Sequence, residues 1–99
     1  MNVSISAELK NRCPEMALGV VCCDIVNTVR DERLWAEMER EIVVLKERYT
    51  LENVKTKPEI AATRRAYKAT GKDPNRYRPS AEALCRRILR DMELYQIST

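Results

Sequence analysis

The stretch Met16-Ala17-Leu18-Gly19-Val20-Val21-Cys22-Cys23-Asp24-Ile25-Val26 restricts the possible folds more than any other part of the chain. It is apolar at both parities and rich in β-branched residues, the pattern of a strand buried on both faces. One solvated sheet face would need only alternation, so a two-sided strand implies further layers packed on it. The expected architecture is therefore α+β, with helices on a small sheet. On such a strand Cys22 and Cys23 point to opposite faces and read as two small core residues. Asp24, the one charge in the run, is expected at the strand end, facing water or pairing with an arginine.

The flanking sequence supplies the helices. Asn2 to Ser6 alternates like a short edge strand, and Ser6 can cap a helical turn over 7–11 that ends before Pro14. Thr28 to Asp31 offers caps for a helix over roughly 31–49, where Leu34, Trp35, Met38, Ile42, Leu45 and Tyr49 form one apolar stripe. Glu37, Glu39 and Glu41 populate its solvated side. After a polar connector, Pro58 opens a helix over roughly 58–70, with Glu59 at its positive end and Gly71 as a left-handed stop. Ile60, Ala61, Thr63, Arg64 and Tyr67 share one side of that helix. A guanidinium at Arg64 must there find an acidic or carbonyl partner, or line a cleft that an anion can enter. Asp73-Pro74 forces a turn, and Ser80 is positioned to cap a third helix over roughly 80–92, with Ala81, Leu84, Cys85, Ile88 and Met92 facing the core. From Glu93 the tail begins to alternate like a strand.

Ninety-nine residues with 44% apolar content suit one small domain, 1–99, with one core. With no histidine and no CxxC pair, these residues build neither a zinc site nor a Ser-His-Asp or Cys-His centre. No metal or cofactor is expected. The four cysteines read as reduced thiols in a cytoplasmic setting. No apolar run is long enough to span a membrane, so a soluble protein without a membrane partner is expected. Charge is distributed unevenly: residues 1–54 carry 7 basic and 10 acidic side chains, whereas residues 55–90 carry 11 and 3.

Within that basic part, Arg64-Arg65-Ala66-Tyr67, Gly71-Lys72-Asp73-Pro74 and Tyr77-Arg78-Pro79-Ser80-Ala81-Glu82-Ala83-Leu84-Cys85-Arg86-Arg87-Ile88-Leu89 follow one another in order. Together they resemble the B3/B4 domain family, the editing domain of the phenylalanyl-tRNA synthetase beta subunit, which also occurs as free-standing proteins. That family's fold is a layered domain about twice as long, so the chain is similar to its N-terminal half. The resemblance implies binding of tRNA or aminoacyl-tRNA, with hydrolysis of a misacylated aminoacyl ester as the associated activity. Much of the pocket lining comes from the half not represented here, so no catalytic residue is assigned. Phosphate contact falls to Arg64, Arg65, Lys68, Arg76, Arg78, Arg86, Arg87 and Arg90. A second reading makes the same turn architectural. In it Tyr67, Gly71, Pro74, Pro79, Ser80 and Leu84 fix the geometry while Arg78 and Arg87 pair with Glu82 or Asp73. The chain then serves as an interaction or self-associating module, with a sheet edge after Thr99 open to a second copy or to the missing half.

Overall fold

Four helices and one 3₁₀ turn account for the regular structure in a computed structural model that describes residues 2–91. Helix α1 spans Ala7–Arg12, α2 Glu32–Arg48, α3 Pro58–Ala69 and α4 Ser80–Leu89, with the 3₁₀ turn at Val54–Thr56. Each helix start shows its local cause. The Ser6 hydroxyl accepts from the Leu9 N–H at 3.2 Å, and the Asp31 carboxylate accepts from the N–H groups of Arg33 and Leu34, so both satisfy donors that a helix leaves orphaned. Pro58 begins α3, where its missing N–H costs nothing.

Helix α3 stops as its sequence requires. Gly71 adopts φ +80°, the Lys72 N–H reaches back to the Tyr67 carbonyl at 2.9 Å, and the Gly71 N–H bonds that of Lys68 at 3.0 Å. These two bonds form a Schellman closure. The start of α4 differs from expectation. Pro79, extended at φ −56° and ψ 144°, occupies the cap position, and Ser80 is the first helical residue with no capping side-chain bond. Proline's fixed φ orients the chain into the helix, and the Pro79 carbonyl accepts from the Ala83 N–H at 2.9 Å. Helix α4 also ends earlier than 92: Leu89 is its last residue, and Asp91 turns into the left-handed region at φ 58°.

The expected sheet is not formed. Among the described residues there is no strand, and the protein is helical, so the α+β architecture is corrected to an all-helical one. Residues 16–28 are irregular, and Val21, Ile25 and Val26 are 87%, 77% and 87% exposed. Cys22, Cys23 and Asp24 are exposed as well, so the cysteines are not core residues. The physical reason is the lack of a ladder partner: a strand must pair its N–H and C=O groups with a neighbour. Residues 2–6, the expected edge strand, are likewise irregular. Met92 and the alternating tail lie outside the described residues.

The core sits between the other elements. Val54, on the 3₁₀ turn, is fully buried where that turn meets α3 and α4, and Ile60 of α3 is buried beside it. Helix α2 packs on α4. Its expected apolar stripe is realised in part: Leu34, Met38, Ile42 and Leu45 line a groove of about 400 Å³ with Cys85, Ile88 and also Glu37 and Glu41, while Trp35 and Tyr49 lie outside it. Lys46 near the end of α2 pairs with Asp91 just beyond α4. Arg30 lies 4.7 Å above the Trp35 ring. No helix among the described residues is long and apolar enough to cross a membrane.

Candidate nucleic-acid interface

The basic segment is built on a buried acid. Glu82, in the first turn of α4, has no exposed surface, and three arginines converge on it. Arg64 of α3 donates through Nη1 to both carboxylate oxygens at 2.8 and 3.1 Å. Arg86, one turn further along α4, donates Nε to Oε2 at 2.8 Å. Arg78, one turn before, places its Nε 3.6 Å from the same oxygen. Two of these guanidiniums reach further: Arg64 Nη2 donates to Asn75 Oδ1, and Arg86 Nη1 donates to the Leu51 carbonyl at 3.0 Å. One carboxylate thereby ties α3, the α3–α4 loop, α4 and the turn after α2 together.

Burial alone would push the Glu82 carboxyl up, but hydrogen bonds from Arg64 and Arg86, with their positive charge, outweigh it and hold the carboxyl below its ordinary value. The loop beside it is also fixed. The Asp73 carboxylate accepts from the Asn75 N–H at 2.9 Å, and the Asp73 carbonyl accepts from the N–H groups of Arg76 and Tyr77. Pro74 and Pro79 are buried on either side.

This loop presents Tyr77 to solvent. The residue is 47% exposed, and two cations lie over its ring, Lys72 Nζ at 5.3 Å and the Arg76 guanidinium at 5.2 Å from the centroid. An exposed aromatic that carries two cations can offer them to phosphates and, once they move there, its ring to a base. The eight residues expected to contact phosphate thus separate into groups. Arg64 and Arg86 are turned inward, and Arg78 is partly exposed on the rim of the Glu82 cluster. Arg76 lies over the Tyr77 ring, while Arg65 and Lys68 are exposed on α3, three residues apart and so neighbours on its surface. Arg87 is half-buried on α4. Arg90 is exposed beyond its end, roughly 12 Å along the axis from Glu82.

Sequence reasoning required a partner for Arg64 without naming Glu82, and the architectural reading paired Glu82 or Asp73 with Arg78 and Arg87: Arg78 does approach Glu82, but Arg64 and Arg86 are its hydrogen-bonded partners. The spacing Arg78, Glu82, Arg86 carried the signal, because residues four apart share a helix face. Lys72 was missed too, although Lys72, Arg76 and Tyr77 surround one tight turn. Comparison with known families, curated proteins and solved structures finds no match to the chain.

Proposed function

We propose that the chain is an RNA-binding module, with tRNA or aminoacyl-tRNA as the RNA and the cytoplasm as its setting. The observation that carries this reading is the exposed Tyr77 with Lys72 and Arg76 over its ring. Arg65 and Lys68 extend the positive surface along α3. The motif resemblance supports tRNA as the class of RNA, although the layered fold it implied is absent from the described residues. Arg64 and Arg86 contribute indirectly, by holding the loop through Glu82.

Fluorescence anisotropy with labelled tRNA across a salt series tests the reading. With Arg65, Lys68, Lys72 and Arg76 on phosphates, log Kd should change with log salt with a slope of about 3. Tyr77→Ala should weaken binding by about 1–3 kcal/mol through lost stacking. Lys72→Ala or Arg76→Ala should each reduce the slope by about 0.7. Absence of binding at about 50 mM salt, or a response flat in salt, would remove RNA from the reading.

A second reading, a self-associating module, is favoured by a different observation. Residues 16–29 display Leu18, Val20, Val21, Ile25, Val26 and Val29 at the surface, an apolar run of the kind that soluble monomers seldom leave open.

A further inference from the structure

We infer that Asn75 is a positioning residue: it couples the buried Glu82 cluster to the Tyr77 turn, and through the shape of that turn it sets the RNA affinity of Lys72, Arg76 and Tyr77. The effect on affinity rests on the RNA-binding reading, whereas the hold on the turn does not. Three observations lead to it. First, Asn75 stands where cluster and turn meet. The Arg64 side chain is only 11% exposed and gives Nη1 to both Glu82 oxygens at 2.8 and 3.1 Å. Its other terminal nitrogen, Nη2, donates to Asn75 Oδ1. A planar guanidinium held on a carboxylate in this way has its remaining donors aimed in fixed directions.

Second, the backbone of Asn75 belongs to the turn itself. Its N–H donates to Asp73 Oδ1 at 2.9 Å, and the Asp73 carbonyl accepts from the N–H groups of Arg76 at 3.1 Å and Tyr77 at 2.8 Å. Asp73 thus closes the turn with side chain and backbone together. The Asn75 side chain fixes where that closed turn stands relative to α3. Both cations over the Tyr77 ring come from the same arc, since Lys72 immediately precedes Asp73 and Arg76 immediately follows Asn75.

Third, the other ties of this arc are less directional. Pro74 and Pro79 are buried at its two ends and anchor them by packing, while residues 75–78 between them are exposed. Arg78 lies 3.6 Å from Glu82 Oε2, beyond hydrogen-bond range. Asn75 therefore supplies the directional bond from the exposed arc to the helices. A turn already formed in the free protein binds at less ordering cost than one assembled on the RNA. The Arg64–Asn75 bond should accordingly register in affinity.

Asn75→Ala and Asn75→Asp in the full chain test the inference. Asn75 is exposed, so both variants should keep the helices, as circular dichroism would verify. Alanine removes the acceptor for Arg64, whereas aspartate keeps an oxygen in its place. The first measurement, amide hydrogen exchange by NMR, needs no RNA. In Asn75→Ala the Arg76 and Tyr77 amides should exchange at least about fivefold faster, the worth of one hydrogen bond, and in Asn75→Asp they should return to the wild-type rate. Unchanged exchange in Asn75→Ala overturns the inference, and so does an Asn75→Asp variant that exchanges as fast as the alanine one. The second measurement is the tRNA salt series. Kd should rise at least about fivefold in Asn75→Ala with the salt slope unchanged, because all four phosphate-contacting cations are still present. If the wild type binds tRNA and Asn75→Ala binds it equally well, the RNA reading stands and the inference is overturned. If the wild type binds no tRNA, the RNA reading falls, and the exchange rates alone decide whether Asn75 holds the turn.

Discussion

Residues 58–89 and residues 16–29 use opposite means to satisfy their side chains. The first segment is heavily charged yet determined from within, because one buried carboxylate gives three arginines and four parts of the chain a common partner. The second is almost uncharged and apolar, but it is exposed and irregular. Hydrophobicity makes burial favourable without specifying a partner. A buried carboxylate is more selective, since its oxygens require donors at particular positions. In a small domain with a thin apolar core, the charged cluster therefore organises the helices, while the apolar run stands in solvent.

The strongest way to break this contrast is to remove the acid. Glu82→Gln leaves the Arg64 and Arg86 guanidiniums without their counter-charge at nearly buried positions and should cost about 3–5 kcal/mol. That is a large part of the roughly 5–15 kcal/mol available to a domain. Val21→Glu, at a side chain that stands in solvent, should change stability by no more than about 0.5 kcal/mol. Urea unfolding followed by circular dichroism compares the two, and equal effects would deny Glu82 its organising place. The pH dependence has a definite sign. The Glu82 carboxyl is held low, so its contribution is complete above the ordinary carboxylate value of about 4.3 and is lost as pH falls through the lower folded value. Acid should therefore destabilise the wild type more steeply than Glu82→Gln.

Thiol reactivity sharpens the comparison at smaller scale. Burial pushes the Cys13 thiol up, with the acceptor Glu15 3.5 Å away and its negative charge adding to the effect. Burial likewise raises the Cys85 thiol, against the opposing charge of Lys57. Both should be poor thiolates at neutral pH. Cys22 and Cys23 are exposed. A maleimide should modify Cys22 and Cys23 at least tenfold faster than Cys13 and Cys85. Mass spectrometry of the time course distinguishes the sites, and uniform rates would mean that residues 16–29 are covered within a single chain.

The sequence shows these two regions with unequal clarity. Local rules placed the helices well: Ser6, Asp31, Pro58 and Gly71 each act on their own backbone, and the expected ranges 31–49 and 58–70 become Glu32–Arg48 and Pro58–Ala69. Long-range demands were harder to read. The two-sided apolar pattern of 16–26 predicts a strand buried between layers, whereas the run is irregular and exposed, because periodicity alone cannot supply the partner that a strand needs. Arg64 signalled an anionic partner, and the partner proved to be Glu82, eighteen residues away, instead of a ligand. Counting positive charges obscured this, because a count treats an arginine locked on a carboxylate like one standing free on a loop. Tyr77 stands in the sequence only as part of the motif from Tyr77 to Leu89, because its position beneath Lys72 and Arg76 depends on the path of the loop.

The two glycines provide the finest test, one in each region. Neither has any atom within 4 Å of where a Cβ would stand, so steric contact is not at issue for either. They differ in backbone. Gly71 is held at φ +80° by the closure at the end of α3, a conformation that costs an L-residue about 1–2 kcal/mol. Gly19 has no such constraint within the irregular run 16–28. Gly71→Ala should therefore lower stability by about 1 kcal/mol, with part of the added backbone strain offset by the reduced freedom of the unfolded chain. Gly19→Ala should change it by only a few tenths of a kcal/mol, because the native backbone there already suits alanine and the substitution mainly restricts the unfolded chain. Paired thermal melts resolve the difference. A marked loss at Gly19 would place residues 16–29 in a more constrained conformation than the exposed one, and no loss at Gly71 would mean that the α3–α4 loop tolerates a different closure.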